Sequence, residues 1–207
     1  MTSGKVRLGV LGGTFDPIHM AHFRAARAAR AALRLDKILF IPAGDPWRKR
    51  DRRVTSATHR LAMVRAAVDA CGEPGFAVSD IEVRRQGATY TSDTLRELRE
   101  QDNVAVWFIL GADALLDLPR WHEPGTIVQL ARLAVVPRKG PPVDMAALEA
   151  LIPGIAAAVE PVAMEPVDLS ATELRASLQD LGQEAIDERV PPGAREYIVE
   201  HKLYRLP

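Results

Sequence analysis

Apolar positions along the chain fall into short continuous or alternating runs and into longer stretches with helical spacing. The runs predict strands at Lys5–Leu11, Lys37–Ile41, Phe76–Arg84, Val104–Leu110, Leu133–Val136 and Ala156–Met164. The longer stretches predict helices at Met20–Leu33, His59–Ala70, Ser92–Glu100, Ser170–Leu178 and Gly193–His201. Strands that alternate with helices indicate an α/β fold: a Rossmann-like, doubly wound parallel sheet with helices on both faces.

Composition narrows the class of protein without changing this fold. The 207 residues predict a single domain over 1–207, with the C-terminal helical part from about 168 to 207 completing it. Lys+Arg and Asp+Glu both number 27, and this zero net charge argues against a protein that coats nucleic acid. The single cysteine, Cys71, cannot form an internal disulfide. We see no signal peptide and no membrane span, and therefore expect a soluble, cytoplasmic protein.

The stretch GGTFDPIHMAH at residues 12–22 lies between the first predicted strand and the first predicted helix. Gly12 and Gly13 let the backbone approach a ligand closely, and the following helix offers unpaired N–H groups and a positive dipole end. His19 and His22 are three residues apart and can face one ligand. A strand, a glycine turn and a helix with two imidazoles favour a polyphosphate site at the carboxyl end of a central strand.

Other interpretations of this stretch stay open on the residues alone. The glycines can serve the geometry of the turn only, and His22 can be a core histidine because it shares its face with alanines. A dinucleotide-binding oxidoreductase would need G-x-G-x-x-G and an acidic residue after the second strand, whereas this turn is followed by Thr14 and Phe15 and the second strand ends at Pro42.

Three further constellations carry candidate chemistry. Ser170 with Glu173 predicts a capping box, whose helix start and Arg175 can also hold a triphosphate. The basic loop PWRKRDRR at 46–53 is a solvated face, a nucleic-acid patch or, as we favour, a flap over phosphate-bearing substrates with Lys49 in contact. Asp113 after the strongest strand either binds a ribose hydroxyl or caps a helix, and Arg138 follows a later strand.

A resemblance covers nearly the whole chain. His19-Met20-Ala21-His22 looks like the His-x-Gly-His signature of the nucleotidyltransferase superfamily, and GGTFDPIH is similar to bacterial nicotinate-nucleotide adenylyltransferases. The remaining matching strings follow in the order of that family: PWRK, TYTSDTL, GAD, LPRWHEP, VVPRKG, LSATELR and YIVEHKLY. Ala21 and Ala171 depart from the usual Gly and Ser of the family, but neither change removes a histidine or a cation.

The resemblance implies an enzyme that joins nicotinate mononucleotide and ATP into deamido-NAD and pyrophosphate. No cluster of His, Asp and Glu in the sequence has clear metal-ligand spacing, so we expect Mg²⁺ to be carried mainly by the ATP phosphates and no metal to be held by protein ligands. A sibling transferase acting on another phosphorylated acceptor is the alternative, and a homo-oligomer stays open. The implied catalytic residues are His19, His22 and Arg175. The implied ATP contacts are Gly12, Gly13, Thr14, Phe15, His19, His22, Arg138, Ser170, Thr172 and Arg175. The implied mononucleotide contacts are Asp16, Lys49, Thr89, Tyr90, Thr91, Gly111, Asp113 and Trp121.

The acceptor site also has a chemical argument of its own. Thr89, Tyr90, Thr91 and Ser92 lead into a predicted helix, so their N–H groups can recognise a carboxylate but not a carboxamide. Tyr90 and Trp121 can instead be ordinary half-buried aromatics, with Thr91 or Ser92 capping the helix. If the loop does discriminate, nicotinate mononucleotide is preferred over its amide.

Overall fold

A six-stranded sheet with the strand order β3-β2-β1-β4-β5-β6 organises the protein. The computed structural model describes residues 5–46, 54–101, 103–167, 169–181 and 188–204. The strands are β1 (Val6–Gly13), β2 (Lys37–Pro42), β3 (Phe76–Val78), β4 (Val104–Gly111), β5 (Arg132–Val136) and β6 (Val159–Pro161). The helices are α1 (Met20–Leu33), α2 (Ala57–Cys71), α3 (Thr91–Arg99), α4 (Ala112–Asp117), α5 (Pro124–Leu130), α6 (Met145–Leu151), α7 (Ile155–Ala158), α8 (Ala171–Leu181) and α9 (Pro192–Glu200).

The strand order confirms the Rossmann-like α/β class. Strands β1 and β4 are parallel neighbours with Val10 opposite Phe108, and β4 and β5 are parallel with Gly111 opposite Val136. The order reverses between β1 and β4, which is where ligands bind in open α/β sheets, outside the carboxyl ends of the strands. Gly13 and Gly111 end these two strands, so β1 extends two residues beyond the predicted Leu11.

The chain forms two compact units. The first consists of Met1–Gly12, Ala25–Leu39 and Tyr90–Asp168. Its strands are almost fully buried at their centres, with Val106, Phe108 and Ile109 of β4 and Leu133 and Ala134 of β5 all below 5% exposed. Such continuous apolar strands are typical of a parallel sheet that is covered on both faces.

The second unit consists of Gly13–Arg24, Phe40–Thr89 and Leu169–Pro207. Helices α2 and α9 pack closely in this unit. Gly193 of α9 lies so near α2 that a Cβ on it would collide with the main-chain oxygen of Ala66. Phe23, Phe40 and Phe76 form an aromatic cluster beside them, with ring centroids 5.3 to 6.3 Å apart. The single domain over 1–207 stays a prediction.

Most predicted elements are present, and Met20–Leu33 agrees at both ends. The predicted strand Phe76–Arg84 is wrong beyond Val78, because the Ser79 hydroxyl accepts the N–H of Ile81 at 3.3 Å and Asp80 O accepts the N–H of Arg84 at 2.9 Å. These local bonds form a turn that replaces strand pairing.

The predicted strand Ala156–Met164 is also shorter than expected. The Glu149 carboxylate accepts the N–H groups of Gly154 and Ala156 at 2.7 and 2.9 Å, and this caps a helical turn where the strand was predicted to begin. Strand β6 then spans only Val159–Pro161.

Candidate active site

The glycine turn begins at Gly12 and Gly13, which end β1, and each of these glycines has an aromatic ring close to it. A Cβ on Gly12 would lie 3.3 Å from Cε2 of Phe108, and a Cβ on Gly13 would lie 3.2 Å from the ring of Phe15. Phe15 is 2% exposed and has a φ of 49°, a left-handed conformation that is uncommon for a bulky residue. A side chain at either position would force the neighbouring ring to shift by a few tenths of an ångström, so packing favours glycine at both positions, whether or not a ligand is bound.

The two histidines predicted to act together are in contact at the start of α1. Their ring centroids are 3.8 Å apart with the planes inclined by 26°. The main-chain N–H of His19 donates to Nδ1 of His22 at 3.1 Å, so a neutral His22 carries its proton on Nε2. The ring of Phe15 meets His22 edge-on at 4.9 Å. The structure therefore brings the imidazoles together, while their contact with a phosphate stays a prediction.

Asp16 is a buried carboxylate in the same turn, with 3% of its surface exposed. Its Oδ1 accepts a hydrogen bond from the hydroxyl of Tyr204 at 2.7 Å, and its Oδ2 accepts the N–H of Thr55 at 3.3 Å. Desolvation of the Tyr204 hydroxyl, reinforced by the charge of Asp16, raises the pKa of Tyr204, so the phenol stays protonated and donates. Both carboxylate oxygens of Asp16 are thus bonded within the protein, and its predicted contact with the mononucleotide stays a prediction.

Arg60 of α2 is the largest polar side chain in the interior, with 1% exposed. Its guanidinium donates to four main-chain oxygens at 2.6 to 2.9 Å, those of Thr14, Ala43, Gly44 and Thr55. Burial lowers the pKa of Arg60, and the nearby Asp16 carboxylate opposes that effect. Sequence reasoning missed this residue, although an arginine among the apolar positions Leu61, Met63 and Val64 is a signal that could have found it.

Helix α8 carries the predicted triphosphate residues. The N–H of Glu173 donates to the Ser170 hydroxyl oxygen, and the N–H of Ser170 donates to the Glu173 carboxylate, both at 3.2 Å. This reciprocal pair confirms the predicted capping box. Arg175 NH1 donates to the main-chain oxygen of Asp16 at 2.6 Å, and NH2 donates to Thr172 Oγ1 at 3.3 Å. Arg175 therefore lies at the glycine turn, 159 residues away in sequence.

Within the first unit, a group of predicted contacts meets at the carboxyl ends of β4 and β5. A Cβ on Gly111 would lie 2.9 Å from Cγ of Arg138, and Arg138 Nε is 3.8 Å from Asp113 Oδ1. Gly111 is the N-cap of α4, so Asp113 lies in the first turn of that helix and not at its cap. The structure thus brings Arg138, a predicted ATP contact, next to Gly111 and Asp113, two predicted mononucleotide contacts, and their contacts with ligands stay predictions.

The aromatic residues predicted to recognise the acceptor lie near the start of α3 and after α4. Trp121 meets Phe108 edge-on at 6.0 Å, and Tyr90 lies against His122 with centroids 4.1 Å apart. An ion pair between Arg96 of α3 and Glu123 ties the helix to the loop that carries Trp121 and His122. Sequence reasoning did not single out His122.

The start of α3 is not capped by a side chain. Tyr90 is its N-cap and makes no side-chain capping bond, so Thr91 and Ser92 are not the caps that one interpretation made them. Ser92 is fully buried, and its Oγ has no hydrogen-bond partner among the described residues. Such a hydroxyl is uncommon in a protein interior and is typical of a place where a ligand or water binds.

The remaining predicted residues are divided between described and undescribed parts of the chain. Thr89 directs both its N–H and its hydroxyl to the main-chain oxygen of Asp45, at 3.3 and 3.4 Å. Lys49 and most of the basic loop lie at 47–53, outside the described residues.

In the described ranges, His, Cys, Asp and Glu do not gather in a group of three or more that could hold a metal ion. Nor does any helix in those ranges have the length and apolar character that crossing a membrane requires.

A comparison of the sequence with models of known protein families shows the family to which the chain belongs. The model of the cytidylyltransferase-like family matches residues 10–177, which is most of the chain. The protein therefore belongs to that family.

Curated relatives define the subgroup. A Roseiflexus sp. protein named "Probable nicotinate-nucleotide adenylyltransferase" is 43% identical over 200 residues, covering 96% of this chain and 98% of the relative. A Dehalococcoides mccartyi protein of the same name is 41% identical over 204 residues, covering 96% and 97%. Within the class, the chain is a member of the nicotinate-nucleotide adenylyltransferase family, which confirms the resemblance carried by its motifs.

Solved structures support the fold at lower sequence identity. A Plasmodium falciparum nicotinic acid mononucleotide adenylyltransferase complexed with NaAD is similar with a TM-score of 0.77 and 20% identity, covering 96% of this chain and 97% of that one. The same Plasmodium protein complexed with APC has a TM-score of 0.75. The α/β architecture of this chain is therefore shared with these adenylyltransferases.

Proposed function

We propose that this protein joins nicotinate mononucleotide to ATP, producing deamido-NAD and pyrophosphate. The observation that carries the proposal is the 41 to 43% identity with nicotinate-nucleotide adenylyltransferases over nearly the whole chain. The contact between His19 and His22 beside the glycine turn supports it, since imidazole N–H groups at the start of a helix can donate hydrogen bonds to the oxygens of a polyphosphate.

The reaction in this proposal is a direct displacement. A phosphate oxygen of the mononucleotide attacks the α-phosphorus of ATP, a new P–O–P bond forms, and the bond to the bridging oxygen breaks with pyrophosphate as the leaving group. The protein's task is then to position both phosphates and to stabilise the charge that develops on them. Magnesium enters as part of the MgATP substrate, bound by its phosphates.

His19, His22 and Arg175 are the residues that we assign to the triphosphate. Arg175 is held near the histidine turn by its bond to the Asp16 main-chain oxygen, and its guanidinium carries five N–H donors. One terminal nitrogen donates to Asp16 and the other to Thr172, and with both contacts kept the further N–H groups of the guanidinium can donate to phosphate oxygens when ATP binds.

Selection of the acid over the amide rests on the start of α3. The N–H groups after Tyr90, which no side chain caps, and the buried hydroxyl of Ser92 are hydrogen-bond donors. A carboxylate suits them because both of its oxygens accept hydrogen bonds and neither donates one. A carboxamide would turn its NH₂ toward some of these donors, at a cost of roughly 1–3 kcal/mol for each group left unsatisfied. Stacking on Trp121 would hold either pyridine ring equally well.

The test is an acceptor panel with purified full-length protein. The protein is incubated with MgATP and, separately, nicotinate mononucleotide, nicotinamide mononucleotide, pantetheine phosphate and glycerol phosphate, and products are identified by mass. We expect deamido-NAD and pyrophosphate from the first acceptor. A dominant product from pantetheine phosphate or glycerol phosphate would favour the sibling transferase instead.

The size of the preference tests the acceptor site. We expect kcat/KM for nicotinate mononucleotide to exceed that for the amide by at least about 10²-fold at saturating ATP, equivalent to about 2.7 kcal/mol. Trp121→Ala should weaken both acceptors without reversing the preference. Near-equal values in the unaltered protein would refute the assignment of discrimination to the start of α3.

A further inference from the structure

The last described residue of the chain is bonded to the glycine turn. Tyr204 donates its hydroxyl to Asp16 Oδ1 at 2.7 Å, a distance typical of a charge-assisted bond, across 188 residues of sequence. The same hydroxyl is 3.8 Å from the sulfur of Met63 in α2. Tyr204 has a φ of 64°, and Lys202 two residues earlier has a φ of 51°. Two non-glycine residues thus adopt the left-handed conformation in the segment that brings this phenol to Asp16.

Asp16 transmits this contact to a residue of the proposed reaction. While its carboxylate accepts from Tyr204, its main-chain oxygen accepts from Arg175 NH1 at 2.6 Å. The side chain of Asp16 is 3% exposed, and its Oδ2 is bonded to the Thr55 N–H. Because the same buried residue holds both bonds, we expect a change at the carboxylate to shift the main-chain oxygen that holds Arg175.

Packing alone does not account for this arrangement. A phenylalanine at 204 would keep the aromatic ring, but it would lose the hydroxyl contact with Met63 and leave Oδ1 of a buried carboxylate without this donor. A buried carboxylate that loses a hydrogen-bond partner must rotate or recruit water, and either change alters the turn. The hydroxyl of Tyr204 thus has a role separate from the packing of its ring.

We propose that Tyr204 is a positioning residue for ATP, acting through Asp16 on Arg175 and the glycine turn. This inference rests on the proposed function and extends it to the far end of the chain. Asp16 serves here as the link between Tyr204 and Arg175, and no contact between Asp16 and the mononucleotide is needed.

The test compares two Tyr→Phe variants of the full chain. Tyr204→Phe should raise the KM for ATP by about 10-fold and change the KM for nicotinate mononucleotide by less than about twofold. Tyr197→Phe is the matched control: it also removes one hydroxyl hydrogen bond in the C-terminal segment, to Nδ1 of His59 at 3.0 Å, but has no bond to Asp16. We expect the control to retain both KM values.

A second variant tests whether Tyr204 acts through Asp16. Asp16→Asn should also raise the KM for ATP, and Tyr204→Phe added to it should cause little further change, because residues that act in one network are not additive. If Tyr204→Phe alone folds poorly, Asp16→Asn measured by itself still tests the link to Arg175, because an unchanged KM for ATP in that variant would overturn the proposal. In either variant, a rise confined to the KM for the mononucleotide, or an equal rise for both substrates, would overturn the proposal.

The outcomes separate this proposal from the proposed function. If the unaltered protein uses a different phosphorylated acceptor, the proposed function fails, and the KM for ATP is measured with that acceptor instead. If the unaltered protein makes deamido-NAD but Tyr204→Phe behaves like Tyr197→Phe, or the effects of Tyr204→Phe and Asp16→Asn multiply, the positioning role of Tyr204 is refuted while the function stands.

Discussion

Replacing Arg60 by methionine removes a buried guanidinium but keeps most of the aliphatic side chain. Four main-chain oxygens then lose their donors, those of Thr14, Ala43, Gly44 and Thr55. Three chain segments meet at this one side chain: the glycine turn, the end of β2 and the start of α2. The perturbation therefore loosens the contacts among all three.

The expected loss follows from the four bonds. Each hydrogen bond contributes about 1 kcal/mol net, and bonds to a charged group somewhat more, so the four together contribute about 4 kcal/mol. Removing the buried charge recovers part of this free energy of unfolding, because burial lowers the pKa of Arg60 and so disfavours its charged form. We expect Arg60→Met to lower the free energy of unfolding by about 3 kcal/mol, or roughly 6–12 °C in Tm for a chain of this length.

The assay is thermal unfolding followed by circular dichroism. Arg65→Met is the matched control, because Arg65 lies on the same helix but is exposed and pairs with Asp80 at 3.1 Å near the surface. That exposed pair is worth at most about 1 kcal/mol. Arg60→Lys should fall between Arg60→Met and the unaltered protein, since an ammonium has three donors in place of five. If Arg60→Met unfolds at the same temperature as Arg65→Met, Arg60 does not stabilise the turn as argued.

Three further predictions concern the two histidines, Arg175 and the carboxylate of Glu149 that caps α7. His19→Ala and His22→Ala should each reduce turnover by about 10²–10³-fold with the fold intact, and a misfolded His22→Ala beside a fully active His19→Ala would indicate a core histidine instead. Arg175→Ala should weaken ATP binding or turnover by about 10- to 150-fold and leave affinity for the mononucleotide nearly unchanged, whereas equal damage to both substrates would contradict an ATP role. Hydrogen bonds from the Ala156 and Gly154 N–H groups lower the pKa of Glu149 below its usual 4.5, so the charged form is favoured by folding. The Tm advantage over Glu149→Gln should therefore be present at about pH 7 and should shrink progressively as the pH falls below the ordinary pKa of glutamate, and an advantage that stayed constant through that acidic range would refute the assignment.

Local patterns determined much of the fold in advance. Helix Met20–Leu33 was predicted at both ends because alanine and arginine positions with helical spacing form an amphipathic helix wherever they lie. The capping box of Ser170 and Glu173 was predicted for the same reason, since its two bonds join residues three apart. Patterns failed where local hydrogen bonds competed, as at Ser79 and Asp80, which form a turn inside an alternating run.

The features of the site likewise fall into those that neighbouring residues specify and those that only the folded chain brings together. The sequence by itself determined that Gly12, Gly13, His19 and His22 follow a strand and open a helix, because these residues are neighbours along the chain. Only the tertiary structure decided that Arg60 would bond to Thr14 and that Tyr204 would bond to Asp16. These contacts join residues 46 and 188 positions apart, and no local preference specifies them. Folding brings them together, and a buried charge is stable only where donors and acceptors from several segments converge on it.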